Sequence, residues 1–128
     1  MSLTVQGVWK GFAHKRDTQW VLRDVSIDVQ PGQFVSLIGH SGCGKSTLLN
    51  AMGGLSQVDA GRIALDGETI TGPSPDRAMV FQHYSLLPRL SLARNVAVAV
   101  RSARRDWSRA KVDTAVERTL TAVGLWEH

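Results

Sequence analysis

Apolar residues recur along this chain with two spacings, and the change from one to the other divides it near residue 82. Residues 3–9 alternate crudely at period two, and residues 20–29 do so more clearly, with Val25, Ile27 and Val29 on one face. Alternation of that kind predicts half-buried antiparallel strands. Residues 13–19 between them are polar and predict a loop containing His14, and Pro31-Gly32 marks a turn. Two other segments, residues 34–38 and 78–81, are short unbroken apolar runs, the pattern of parallel strands buried on both faces. Asp66-Gly67 separates residues 62–65 from 68–70 and predicts a further hairpin.

Helical spacing appears in three places. Residues 45–52 predict a helix stopped by Gly53-Gly54. Ser91 is placed as an N-cap for a helix over residues 92–100, and Ser108 for a second in which Val112, Val116, Leu120 and Val123 form an apolar stripe up to Gly124. That stripe reads as a core face.

The segment joining the first apolar run to the first helix carries the chemistry. Gly39, His40, Ser41, Gly42, Cys43, Gly44, Lys45, Ser46 and Thr47 fit G-x-x-x-x-G-K-[ST], the phosphate-loop pattern, at every fixed position. Glycines let backbone N–H groups approach an anion with no Cβ in the way. Lys45 adds a mobile positive charge, Ser46 offers a hydroxyl to a Mg²⁺ ion bridging outer phosphates, and the helix points its positive end at the same place. The expected ligand is a nucleoside triphosphate.

Composition changes this picture little. The chain has 128 residues, 43% hydrophobic and 20% charged, which predicts one globular domain. No long apolar run or export signal is present, so a cytoplasmic location is expected. Cys43 is the single cysteine, which excludes an internal disulfide and a thiolate metal cluster. The net charge of +4 thickens at Arg101, Arg104, Arg105, Arg109 and Lys111, without interleaved aromatics, so a solvated helix face explains it better than nucleic-acid binding.

Taken together, residues 8–12, 25–34, 39–47, Asp59 to Ile63 with Asp66-Gly67, and Val80-Phe81-Gln82 followed by Leu86-Leu87-Pro88 resemble the ATP-binding subunit of an ABC transporter, along the whole chain. Residues 35–50 and Pro75-Asp76-Arg77 look most like the nitrate, sulfonate and taurine import group, with nitrate first. The resemblance implies an α/β P-loop NTPase fold of ABC type, with a partly parallel sheet, an N-terminal antiparallel β subdomain and the phosphate loop in residues 1–82, and the start of a helical subdomain in residues 83–128. It implies that Phe12 stacks on adenine, with a core position as the rival reading. It implies that Gln82 reaches Mg²⁺ and the attacking water, with a strand-end polar residue as the rival. It also implies that residues 84–88 (Tyr84, Ser85, Leu86, Leu87, Pro88) touch a membrane-spanning subunit, and that ATP and Mg²⁺ are the cofactors. A second ATP-binding subunit, and indirectly a periplasmic or lipoprotein solute-binding protein, are the implied partners, at the cytoplasmic face of the membrane.

Leu-Ser-Gly-Gly-Gln, the acidic strand end, the catalytic Glu and the switch His of that family have no counterpart in these residues. The chain therefore reads as the N-terminal portion of a longer protein. Two functions compete: a transport ATPase subunit whose complete form couples hydrolysis to anion import, and a nucleotide-binding module without turnover. A nucleoside kinase shares the loop but does not account for Phe12, Gln82 and Leu86-Leu87-Pro88 together.

Overall fold

The computed structural model describes residues 1–14, 17–83 and 86–127. Two compact units make up the chain, Met1–Met79 and Val80–His128.

The first unit is built on a four-stranded sheet with β1 at Leu3–His14, β2 at Asp17–Val29, β3 at Ala60–Leu65 and β4 at Glu68–Thr69. The order is β2-β1-β3-β4 and every pairing is antiparallel. Val5 stands at the centre, opposite Ile27 on one side and Ile63 on the other. Val5 and Val8 are three residues apart, a spacing that puts side chains on opposite faces of a regular strand, yet both are buried in one cluster. A bulge resolves this. The register slips between Val5 and Val8, and Gly7 in between takes φ +54, so one extra residue turns Val8 back to the core face. A second slip, between Val8 and Lys10, does the same in β2, where Asp24 takes φ 52 and lets Leu22 join Val25 and Ile27 against that cluster.

Helix α1, Lys45–Met52, covers this face with Leu48 and Ala51, one helical step apart. It ends where expected, at Gly53, and Met79 Sδ fills the space a side chain at Gly53 would need. The Asp66-Gly67 turn forms as expected, with φ 47 and 84 at its two central residues, both positive as a type I′ turn requires.

Two expectations fail here. Residues 13–19 are not a loop: the β1–β2 ladder continues through Phe12–Gln19, Ala13–Thr18 and His14–Asp17, so His14 ends a strand, while Lys15 and Arg16 lie outside the described residues. Residues 34–38 and 78–81 form no regular element and belong to no ladder. A parallel strand exists only through a hydrogen-bonded neighbour, and among the described residues none pairs with either segment. Leu37 packs on the core, but Phe34 and Ile38 are 91% and 95% exposed, and Val80 99%.

The second unit is a helix pair, α2 at Leu92–Ala103 and α3 at Arg109–Ala122. Ser91 and Ser108 cap them as expected, each side-chain oxygen accepting from the N–H three residues on, at Arg94 and Lys111. Val112, Val116 and Leu120 are buried against Leu92, Val96, Val100 and Trp107. Gly124 stops α3 at φ +70, donating to Thr121 O at 3.0 Å while Leu125 donates to Leu120 O at 2.8 Å, the double closure of a Schellman motif. Val123 drops out of the expected stripe: it is the C-cap residue, with non-helical backbone, and lies exposed. No helix of the described residues is long and apolar enough to cross a membrane.

Candidate phosphate-binding site

Residues 39–47 lead directly into α1, and the sharp entry depends on two glycines. Gly42 takes φ +80 and Gly44, the N-cap of α1, takes φ +95. At Gly44 the space is closed as well: a Cβ there would meet Leu22 Cδ2 at 2.9 Å, Val21 Cγ1 at 3.0 Å and Val21 O at 3.1 Å. Strand β2 thus backs the loop at the point where the helix begins. A Cβ on Gly39 would fall 2.7 Å from Cys43 Sγ, so the loop also closes on itself, with Cys43 N donating to His40 O at 3.4 Å.

The first bond into α1 runs from Leu48 N to Gly44 O at 2.9 Å, which leaves the N–H groups of Lys45, Ser46 and Thr47 without helical acceptors. No side chain caps them and no acidic residue lies in the first turn. The positive end of the helix dipole is therefore unopposed, with the exposed Ser46 hydroxyl beside it. Lys45 adds its ammonium, which donates to Gly39 O and His40 O at 2.7 Å each and lies 3.5 Å from Cys43 Sγ. Free N–H groups, a lysine and a cradle that Cβ atoms would fill suit a multiply charged oxyanion.

Phe12 lies in β1 of the same unit, 49% exposed and in neither buried cluster, so burial does not support the core reading. The ladder relates it to the loop. Lys10 stands opposite Leu22, one of the residues against Gly44, and Phe12 is two residues further on, about 7 Å along the strand. Lys10 holds its ammonium 5.7 Å from the Phe12 ring centroid while pairing with Asp59 at 2.9 Å. The sequence assigns Asp59 a place in the stretch 59–63 but no role beside Phe12. Its other oxygen accepts from Gly11 N at 2.7 Å, and that bond, with the Lys10 contact, holds its carboxyl below the usual carboxylate range.

Gln82 belongs to the second unit, at an exposed bend, whereas the loop and Phe12 belong to the first. Of residues 84–88, Tyr84 and Ser85 lie outside the described residues; Leu86 and Leu87 are exposed. Asn95 of α2 holds this segment. Its Oδ1 accepts from Leu87 N at 2.7 Å, and its Nδ2 lies within donating distance of Leu87 O (3.3 Å), Leu90 O (3.1 Å) and Ser91 O (3.1 Å). Nothing in the sequence pattern marks this residue, because an Asn one turn into a helix has no periodic signature.

The chain is 53% identical over 104 residues to the nitrate import ATP-binding protein NrtC of Synechococcus elongatus, covering 81% of this chain and 16% of that protein. It is 48% identical over 120 residues to the nitrate import ATP-binding protein NrtD of the same organism, covering 94% of this chain and 44% of that protein. It thus spans less than half the length of either relative. Among solved structures, the ATP-binding cassette MJ0796, a dimer in a post-hydrolysis state bound to ADP and Pi, superposes with a TM-score of 0.82 at 26% identity, over 93% of this chain and 56% of that one. The fold is that of a P-loop NTPase of the ATP-binding cassette kind, here with its antiparallel β subdomain and adjoining helices. The family model described as ABC transporter matches residues 22–127, from the strand that backs the phosphate loop to the end of the helix pair, and the chain belongs to that family.

Proposed function

We propose that this chain is the nucleotide-binding part of a subunit that energises an importer of a small anion, nitrate first, through binding and hydrolysis of MgATP in the complete protein. The observation that carries the proposal is the loop at residues 39–47, with three N–H groups free at the start of α1 and Lys45 beside them. In this reading the N–H groups of residues 44–47 and the Lys45 ammonium hold the outer phosphates. Ser46 Oγ would supply an oxygen ligand to Mg²⁺, which when bound offsets charge on the phosphates, and the role of Gln82 towards Mg²⁺ and water is carried by the family resemblance alone. Phe12 offers its half-exposed ring to the base. The exposed Leu86 and Leu87 face the membrane-spanning subunit, and a second ATP-binding subunit completes the dimer. The location that follows is peripheral, on the cytoplasmic face, with a solute-binding protein acting upstream.

The Lys45 ammonium donates to two loop carbonyls, and phosphate binding would exchange those neutral acceptors for anionic ones. Lys45→Ala should weaken MgATP binding by about 1.5–3 kcal/mol, roughly 10- to 150-fold, the range for hydrogen bonds to charged groups. Calorimetry with a non-hydrolysable ATP analogue measures it, and equal affinity for variant and parent refutes the assignment. Nitrate uptake by cells carrying the same substitution in the full-length protein tests the transport half; uptake unaffected by Lys45→Ala refutes it.

A further inference from the structure

The Asn95 side chain does more than a helical surface position requires. Both its amide atoms are turned back onto the chain that enters α2, gripping Leu87 by its N–H and its carbonyl, with Leu90 O and Ser91 O within reach of the same Nδ2. The turn it holds carries a backbone bond from Leu90 N to Leu87 O at 3.4 Å and Arg89 at φ 72, a left-handed conformation that a non-glycine residue keeps only when its surroundings impose it. Just before that turn stand two leucines, Leu86 and Leu87, with about half their surface in water. Exposed apolar side chains bind a partner more tightly when their backbone is already held, since ordering it at the moment of binding costs affinity.

We propose that Asn95 is a positioning residue that locks the Leu87–Ser91 turn so that Leu86 and Leu87 meet the membrane-spanning subunit in one fixed conformation. This rests on the import-subunit reading above, which supplies the partner. None of the bonds Asn95 makes reaches residues 39–47, so nucleotide affinity serves as the control.

The test uses the full-length protein with its membrane subunit. Asn95→Ala removes both halves of the grip, while Asn95→Asp keeps the acceptor for Leu87 N–H and loses the donor. Alanine is the better helix former, so any harm it does is not a weakening of α2 itself. Hydrogen exchange at the Leu87 amide should accelerate by about fivefold to tenfold in Asn95→Ala, as expected for loss of one hydrogen bond of ordinary strength, and by less in Asn95→Asp. Amides at the far end of α2, such as Arg104, should keep their protection. ATP-analogue affinity should stay within about twofold, and co-purification with the membrane subunit should fall in both variants, further in Asn95→Ala. Unchanged exchange at Leu87 overturns the lock. Faster exchange with undiminished subunit association overturns its purpose and leaves the import reading standing. A parent protein that binds ATP but no membrane subunit overturns both.

Discussion

Gly44→Ala separates the geometry of the phosphate loop from its chemistry. At φ +95 an alanine occupies the left-handed region, at a cost of about 1–2 kcal/mol. Its new methyl would also lie 2.9–3.1 Å from Leu22 Cδ2, Val21 Cγ1 and Val21 O. The two side chains can shift, but the carbonyl is backbone of β2 at a residue that the register skips, and Leu22 and Trp20 on either side of it are both paired to β1. Forcing a methyl into such a site adds about 1–3 kcal/mol. The total, about 2–5 kcal/mol, is a large share of the 5–15 kcal/mol that normally stabilises a domain. Gly42→Ala is the internal control: φ is +80, but nothing lies within 4 Å of the added carbon, so only the first cost applies. Urea unfolding of both variants beside the parent, followed by tryptophan fluorescence, should lower the midpoint in both and about twice as far for Gly44→Ala. Equal midpoints for the two variants would refute the claim that β2 dictates the shape of the loop.

Phe12→Ala should weaken ATP and GTP alike, by about 1 kcal/mol, the worth of a stacked ring beyond its area; a lower melting temperature with intact affinity would return Phe12 to a packing role. Asp59 predicts an acid limb. Its carboxyl is held below the usual range by Gly11 N–H and Lys10, so its contribution is present above the unfolded pKa, near 4, and is lost as pH falls through the lower folded value. Unfolding curves between about pH 2.5 and 6 should therefore lose part of their pH dependence in Asp59→Asn, and identical slopes would show that the contact carries nothing.

What could be read from the sequence was what local chemistry decides. The glycine turn into α1, α1 with its stop at Gly53, the Ser91 and Ser108 caps, the Asp66-Gly67 turn and the closure at Gly124 each rest on a few adjacent residues, and each is found. The misses are non-local. Alternation in residues 3–9 looked crude because the bulge at Gly7 reverses the facing of everything after it, which period two cannot express. The apolar runs at residues 34–38 and 78–81 gave no hint of where their pairing partners stand, and Val123 matched the stripe but fell just past the last helical turn. Asn95 escaped because its partners are backbone atoms, which have no letter in a sequence, and Asp59 because Lys10 and Gly11 lie almost fifty residues away along the chain.

Cys43 is the chain's only cysteine, and its sulfur lies against Gly39 and near the Lys45 ammonium, partly open to water. The protein therefore carries its own reporter at the phosphate loop. An alkylating dye has one thiol to find in these 128 residues, without any engineering, and at fixed pH its rate of attachment follows access to the loop. A ligand seated on the loop would shield the sulfur, so a labelling time course on purified protein at rising nucleotide concentration would give an occupancy curve.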